Sequence, residues 1–255
     1  LRARPHARVI RGILRRMVQQ RLELLQTSPG SAPRDILASL IEARDKAGNP
    51  FTEEEIIDQV AVMFLAGHET SASALSWALH LIARDESVQK RMQVEADAAF
   101  AEDDLKPSNL RKLKFTRDVF RETMRLYPPI AFVPRDITIP EKMRDKDLKS
   151  GSAVFIPIWL LHRHREIWSN PDAFDPDRFE REAEKAAIRQ AYMPFSQGPR
   201  VCLGASFAMQ EAVIILAMVA RHFEINADGA VSPRPVSRIS LRSENGTWIR
   251  MQQRA

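Results

Sequence analysis

The chain has 255 residues, 44% hydrophobic and 28% charged, which is the composition of a globular protein and excludes a disordered chain. Its longest apolar run covers residues 212–220 and is too short for a membrane span, which needs about 18 residues. The single cysteine, Cys202, excludes an intrachain disulfide and a multi-cysteine zinc site, and favours a reducing, cytoplasmic location.

The net charge of +5 is concentrated at the start of the chain, where seven arginines precede the first acidic residue, Glu23. Since the remainder is slightly negative, the composition argues against a nucleic-acid-binding protein. The arginine-rich stretch has three interpretations: a targeting helix, a surface for nucleic acid or anionic lipid, or the exposed face of an amphipathic helix. Regular apolar spacing favours the third, with these residues facing inward: Val9, Ile10, Ile13, Leu14, Met17 and Val18.

The first half of the chain predicts successive helices. One ends before Pro29, and the others cover about residues 34–47, 52–84, 87–101 and 115–127. Thr52 and Glu55 form a capping box at the start of the long helix. Because residues 60–67 are apolar on every side of that helix, we expect its middle to be deeply buried.

The second half of the chain has a different pattern. Short strands are predicted at residues 132–133, 137–139 and 153–156, followed by a long irregular stretch over 170–201. An apolar helix is expected over residues 203–222. The final strands, at 239–241 and 248–250, suit a hairpin that turns at Asn245 and Gly246.

The only cysteine lies in the most informative segment, Phe-Ser-Gln-Gly-Pro-Arg-Val-Cys-Leu-Gly over residues 195–204. A cysteine at the start of a helix is stabilised as a thiolate by the free N–H groups there. Gly198 and Gly204 leave the backbone open to a flat, bulky group, and Arg200 suits a carboxylate. These features fit a haem bound through a thiolate, while the alternative is a buried structural cysteine.

The segment contains Phe-x-x-Gly-x-Arg-x-Cys-x-Gly, which resembles the haem-thiolate loop of the cytochrome P450 superfamily at every fixed position. This resemblance implies that the chain binds haem b, with Cys202 as the axial thiolate ligand of the iron. It also implies that Arg200 pairs with a haem propionate and that Phe195 packs beside the sulfur.

Further segments resemble the same family and occur in its order. Residues 66–70, Ala-Gly-His-Glu-Thr, resemble the oxygen-binding groove, in which Ala66 and Gly67 leave room for dioxygen. The resemblance implies that Glu69 and Thr70 form the catalytic acid–alcohol pair that relays protons. An ordinary pair of helix residues, with Glu69 in a surface ion pair, is the alternative. Arg135 resembles a second partner for a propionate.

Two more segments resemble structural motifs of that family. Residues 122–125 match Glu-x-x-Arg, and 176–179 resemble Pro-Glu-Arg-Phe with Asp177 in place of glutamate. The resemblance implies that Glu122, Arg125 and Arg178 form a buried network that fastens the 170–201 stretch. The alternative is an exposed helix pair, which contributes little to stability.

The implied fold is mainly α with small β-sheets: the C-terminal part of one cytochrome P450 domain, helical over about 1–127, with strands, loops and the haem-thiolate loop over about 128–255. The family's earlier helices and strands have no counterpart here, so we expect a fragment, and a membrane anchor could lie upstream. The implied reaction inserts one oxygen atom from dioxygen into a small hydrophobic substrate. A non-catalytic remnant of a disrupted gene and a peroxide-using relative are the alternatives.

The implied partner is a ferredoxin-type or reductase electron donor. Four basic residues could receive an acidic donor or form a solvated face: Arg111, Lys112, Lys114 and Arg117. His162 and His164 lie two residues apart, but the sequence around them offers no further cysteine or histidine ligand. We therefore expect them to be loop residues rather than a metal site.

Overall fold

The computed structural model describes residues 4–101, 106–229 and 232–254, so Arg2 of the arginine-rich stretch lies outside the described residues. Its α-helices are α1 (Arg4–Thr27), α2 (Ile36–Glu42), α3 (Glu53–Ile82), α4 (Glu86–Ala99), α5 (Pro107–Leu110), α6 (Lys114–Leu126), α7 (Ile158–Leu161), α8 (Lys185–Ala191) and α9 (Ala205–His222). Its strands are β1 (Val133–Asp136), β2 (Glu141–Met143), β3 (Lys146–Leu148), β4 (Ala153–Ile156), β5 (Phe223–Ala227), β6 (Pro235–Ser237), β7 (Leu241–Ser243) and β8 (Ile249–Gln253). The predicted class, mainly α with small β-sheets, is confirmed.

The chain divides into two units, one ending at His68 and one beginning at Glu69, with the division inside α3. In the described residues no helix combines the length and the apolar character that crossing a membrane requires.

The first unit has a small core between α1 and the start of α3. Leu14 and Val18 pack against Ile56 and Ile57, and Ile10 lies at the edge of this cluster. The inward positions predicted for three other residues are wrong, because the stripe that meets α3 is narrow and leaves them exposed: Val9, Ile13 and Met17. The arginine face of α1 forms ion pairs with the acidic first turn of α3, where Arg11 Nη2 lies 2.6 Å from Glu54 Oε2.

Deep burial of the middle of α3 was also a wrong expectation. Val62, Phe64 and Leu65 are each more than half exposed. The core of the first unit covers only one face of the helix, through residues such as Ile57 and Val60. An all-round apolar pattern therefore did not predict burial, because burial also depends on the segments that cover the other faces.

Helix α2 is shorter than predicted because polar side chains fix both of its ends. Asp35 Oδ1 accepts a hydrogen bond from the Ala38 amide at 3.0 Å, which caps the helix at its start. Beyond the helix, Asp45 Oδ1 accepts from the amides of Ala47 and Asn49, both at 2.8 Å, and makes a turn instead of further helix. The capping box of α3 is present, with the Thr52 amide donating to Glu55 Oε2 at 2.8 Å.

The core of the second unit lies between α4, α6, α9 and the later part of α3. Its fully buried members include Ala78, Met92, Val119, Phe120 and Leu216. Within the described residues the strands pair as two-stranded antiparallel sheets: β1 with β4, β2 with β3, β5 with β8, and β6 with β7. The 170–201 stretch is less irregular than predicted, because it contains α8 and short 3-10 helices.

The predicted hairpin at Asn245 and Gly246 is wrong. Strand β7 pairs with β6, and β8 pairs with β5, so the turn carries the chain from one sheet to another. Asn245 follows β7 and contacts the residue before β6, since its Oδ1 accepts a hydrogen bond from the Arg234 amide at 2.8 Å. Gly246 has a φ of +83°, which a residue with a side chain rarely adopts.

Candidate functional site

Cys202 lies in an exposed loop that ends just before α9. The loop is closed by a hydrogen bond of 2.9 Å from the Cys202 amide to the Phe195 carbonyl. Between these residues the backbone enters the left-handed region twice, at Ser196 (φ +61°) and at Gly198 (φ +72°), and the second position accounts for the glycine. Because the thiol is exposed, a buried structural cysteine is excluded.

Phe195 and Gly204 flank the cysteine in different ways. The Phe195 ring packs against the core of the second unit and so anchors the start of the loop. A Cβ atom at Gly204 would lie 3.9 Å from the Cys202 sulfur, so glycine keeps this side of the thiol open. Helix α9 begins immediately afterwards, and its first amides face the loop with the positive end of the helix dipole.

The surface around the thiol is apolar with a basic edge. Val201, Leu203 and Phe207 are exposed by 56%, 84% and 61%. Arg200, in the 3-10 helix Gly198–Arg200, is exposed. Arg135, in β1, reaches the same loop, with its Nη2 3.5 Å from Ser196 Oγ. A soft sulfur ligand, exposed apolar side chains next to it in the sequence and nearby arginines fit a haem and its propionates. Among the described residues no cluster of three or more histidine, cysteine or acidic side chains forms another metal site.

The predicted acid–alcohol pair lies on α3 at the start of the second unit. Glu69 and Thr70 are half-buried, whereas Ala66 and Gly67, which lie just before the end of the first unit at His68, are exposed. The Glu69 Oε1 atom accepts a hydrogen bond of 2.7 Å from the hydroxyl of Ser240. Sequence reasoning missed Ser240, because no local pattern connects a serine between β6 and β7 with α3.

The structure brings Glu122, Arg125 and Arg178 together, all three fully buried. Glu122 Oε1 accepts from Arg125 Nη2 at 2.8 Å and from Arg178 Nε at 3.3 Å. Glu184, which the sequence did not single out, completes the network because its Oε1 lies 3.0 Å from Arg178 Nη1. We call these four residues the buried ion network.

The two arginines also bind the backbone of the 170–201 stretch and the segment before it. Arg125 donates to the carbonyls of His162, Pro171 and Ala173 at 2.6 to 3.0 Å. Arg178 Nη1 donates to the Ser169 carbonyl at 2.7 Å. All of these carbonyl acceptors lie in irregular backbone. The two arginines therefore provide the hydrogen-bond donors that a helix or sheet would otherwise provide to buried carbonyl groups.

His162, which we expected to be a loop residue, is fully buried. Its Nδ1 lies 3.2 Å from the Arg125 carbonyl, and its Nε2 accepts from the Met193 amide at 2.9 Å. These two partners require a neutral ring with the proton on Nδ1. Burial lowers the pKa of His162 to about 4, which agrees with that form. The ring thus connects α6 with the backbone two residues before Phe195.

Comparison with known proteins gives consistent matches. A family profile described as Cytochrome P450 matches residues 2–249. Cytochrome P450 4V2 of Homo sapiens is 35% identical over 234 residues, which are 88% of this chain and 44% of that protein. Cyclooctatin synthase of Streptomyces melanosporofaciens is 32% identical and covers 89% of this chain and 50% of its own length. The chain therefore spans about half the length of the curated relatives it matches.

Among solved structures, the retinoic acid-bound cyanobacterial CYP120A1 superposes with a TM-score of 0.88 at 25% identity. That match covers 96% of this chain and 55% of the solved one. A crystal structure of a cytochrome P450, CYP102L1, gives a TM-score of 0.87 at 25% identity, with 99% and 58% covered.

Proposed function

Because the chain belongs to the cytochrome P450 family, we propose that Cys202 supplies the axial thiolate of haem b in a monooxygenase. Its reaction inserts one oxygen atom from dioxygen into a small hydrophobic substrate. The observation that carries the proposal is the exposed Cys202 thiol in a loop held open by glycine and fixed to the Phe195 carbonyl.

The residues of the loop would hold the cofactor in distinct ways. The Cys202 sulfur would bind the iron, and the start of α9 would stabilise its negative charge. Arg200 and Arg135 would bind the propionates, and the Phe195 ring would pack beside the sulfur. When bound, a haem with a thiolate ligand supplies the redox chemistry that cleaves the O–O bond.

The proton chemistry belongs to Glu69 and Thr70. A carboxyl group next to a hydroxyl on one helix can pass protons from solvent towards the face where dioxygen binds. The Thr70 hydroxyl donates at that face, and the Glu69 carboxyl supplies the proton that replaces the one donated. The buried ion network has no chemical role and keeps the 170–201 stretch, which leads into the cysteine loop, in place.

Electrons would come from a ferredoxin-type or reductase donor. The exposed basic residues at the start of α6 and just before it offer a surface for an acidic donor: Arg111, Lys112, Lys114 and Arg117. The reducing compartment favoured by a single free cysteine agrees with a cytoplasmic location.

The test is an optical spectrum of the chain with added haem, reduced and exposed to carbon monoxide. The unsubstituted chain is expected to give a strongly red-shifted Soret band that Cys202→Ser abolishes, because the serine hydroxyl does not replace a thiolate. Ser206→Ala, in the exposed first turn of α9, is the matched control and keeps the band. A band that survives Cys202→Ser, or no band in any of the three proteins, contradicts the assignment.

A further inference from the structure

A hydroxyl-rich cavity of about 240 Å³ lies beside Glu69 in the second unit. Its walls come from the second unit's part of α3 and from the segment around β7. Besides Glu69, its lining includes five hydroxyl side chains: Ser73, Ser76, Ser240, Ser243 and Thr247. A cavity of this size that is lined by several hydroxyl groups has room for waters, since each needs about 10–15 Å³ and two to four polar partners.

Ser240 joins Glu69 to the chain segment on the far wall. Its hydroxyl donates to Glu69 Oε1 at 2.7 Å, and only 1% of the residue is exposed. A charged acceptor makes this one of the stronger kinds of hydrogen bond. The bond restricts the rotation of a long carboxylate side chain that would otherwise sample several rotamers.

The position of Ser240 is fixed independently of Glu69. The amide of the next residue, Leu241, donates to the Pro129 carbonyl at 2.7 Å. The Leu241 carbonyl accepts from the Ser73 hydroxyl and, at 3.0 Å, from Trp77 Nε1. Ser73 and Trp77 lie one and two turns beyond Glu69 on α3, so the same helix carries both the carboxylate and the anchor of its partner.

We propose that Ser240 is a positioning residue that holds Glu69 so that its carboxylate exchanges protons with water in this cavity. The proposal rests on the proposed function, in which Glu69 relays protons. After Glu69 passes its proton to the Thr70 side, a cavity water donates a proton to the carboxylate, and bulk water restores the proton to that cavity water. One proton enters for each proton passed on, so charge and atoms balance.

The first measurement needs no haem. In the full chain labelled with carbon-13 at the glutamate carboxyl groups, Glu69→Gln identifies the Glu69 resonance by its loss. Ser240→Ala is expected to move that resonance, because its hydrogen-bond donor is gone. Ser150→Ala is the matched control, since this exposed hydroxyl donates to the Thr138 carbonyl far from Glu69 in the sequence, and it leaves the resonance in place. A resonance unmoved by Ser240→Ala overturns the proposal.

The second measurement uses the haem-loaded chain with an electron donor and a small hydrophobic substrate. Ser240→Ala is expected to lower product formed per electron consumed by roughly tenfold, which is less than the roughly 10²–10⁴-fold that a proton donor itself contributes, because Ser240 only positions the donor. Ser240→Thr, which keeps the hydroxyl, restores the coupling, and Ser150→Ala does not alter it. Normal coupling in Ser240→Ala overturns the proposal, even where the resonance moves. Normal coupling in Glu69→Gln instead overturns the proton-relay role of Glu69 in the proposed function.

Thermal unfolding of each variant separates positioning from folding. Ser240→Ala removes one oxygen atom and leaves the three hydrogen bonds of the Leu241 backbone intact, so a cooperative transition close to that of the unsubstituted chain is expected. Should Ser240→Ala unfold early while Ser240→Thr both folds and fails to restore coupling, Ser240 is a structural residue and the proposal is wrong.

Discussion

Removing the Glu122 carboxylate is the most direct test of how this chain holds its cysteine loop. In Glu122→Ala, Arg125 and Arg178 lose the carboxylate that lies between them, although both guanidinium groups are fully buried. Arg178 keeps its ion pair with Glu184. Arg125 keeps only its hydrogen bonds to the carbonyls of His162, Pro171 and Ala173. Its buried positive charge is therefore left without a counterion.

The cost follows from this loss. Breaking a buried ion pair by removing one partner costs about 3–5 kcal/mol, because the remaining charge is desolvated and uncompensated. Natural domains unfold with about 5–15 kcal/mol, so this variant loses a large part of its stability. With a urea dependence of about 2–3 kcal/mol per M, the unfolding midpoint falls by about 1–2.5 M.

The assay is urea unfolding of each chain without haem, followed by circular dichroism, and a separate measurement of the Soret band after haem is added. Haem incorporation should be lost together with stability, because the 170–201 backbone no longer has its anchors. Glu86→Ala is the control, since Glu86 pairs with Lys90 on an exposed helix face and its loss leaves the midpoint nearly unchanged. A Glu122→Ala protein that binds haem and unfolds at the normal urea concentration refutes this reasoning.

Two further predictions concern proton chemistry and pH. Thr70→Ala should raise electron consumption relative to product, because it removes the hydroxyl that we propose donates protons. Assays of oxygen uptake and product measure this ratio, and unchanged coupling argues against the relay. Burial lowers the pKa of His162 from 6.5 to about 4, so below pH 6.5 the unfolded chain binds a proton that the folded chain does not. The contribution of His162 to the free energy of unfolding is therefore fully present above pH 6.5. It is lost as the pH falls towards 4, by up to about 3 kcal/mol. Urea unfolding across that window should show a shallower loss in His162→Gln than in the unsubstituted chain, and equal slopes would contradict the assignment.

Local signals in the sequence predicted the longer helices well, missed the short helices α5, α7 and α8, and predicted the tertiary partners of strands poorly. The start of α3 follows from Thr52 and Glu55, whose reciprocal capping needs only neighbouring residues. The pairing of β7 depends on Arg234 and Asn245, which are eleven residues apart and form a bond that no local propensity specifies. Burial was the hardest property to predict, because the exposure of Phe64 depends on what covers the helix and not on the helix itself.

In the candidate site too, local motifs could be predicted from the sequence and contacts between distant segments could not. Motif positions such as Cys202 and Glu122 were found because their spacing is short and fixed. Ser240 and His162 were not found as partners, since each meets its contact through a fold that brings distant segments together. The sequence shows that two histidines lie close together at 162 and 164. It does not show which backbone groups the His162 ring contacts.

Hydrogen bonds and one short backbone segment connect the buried ion network to the cysteine. The guanidinium of Arg125 binds the His162 carbonyl, while the Arg125 carbonyl lies 3.2 Å from the His162 ring. That ring holds the Met193 amide, and two residues later the Phe195 carbonyl holds the Cys202 amide. Because none of these steps depends on an exposed side chain, solvent competes weakly with them. The sulfur position therefore depends on a fully buried ion pair, which is why the loss of Glu122 should be detected at the haem as well as in the free energy of unfolding.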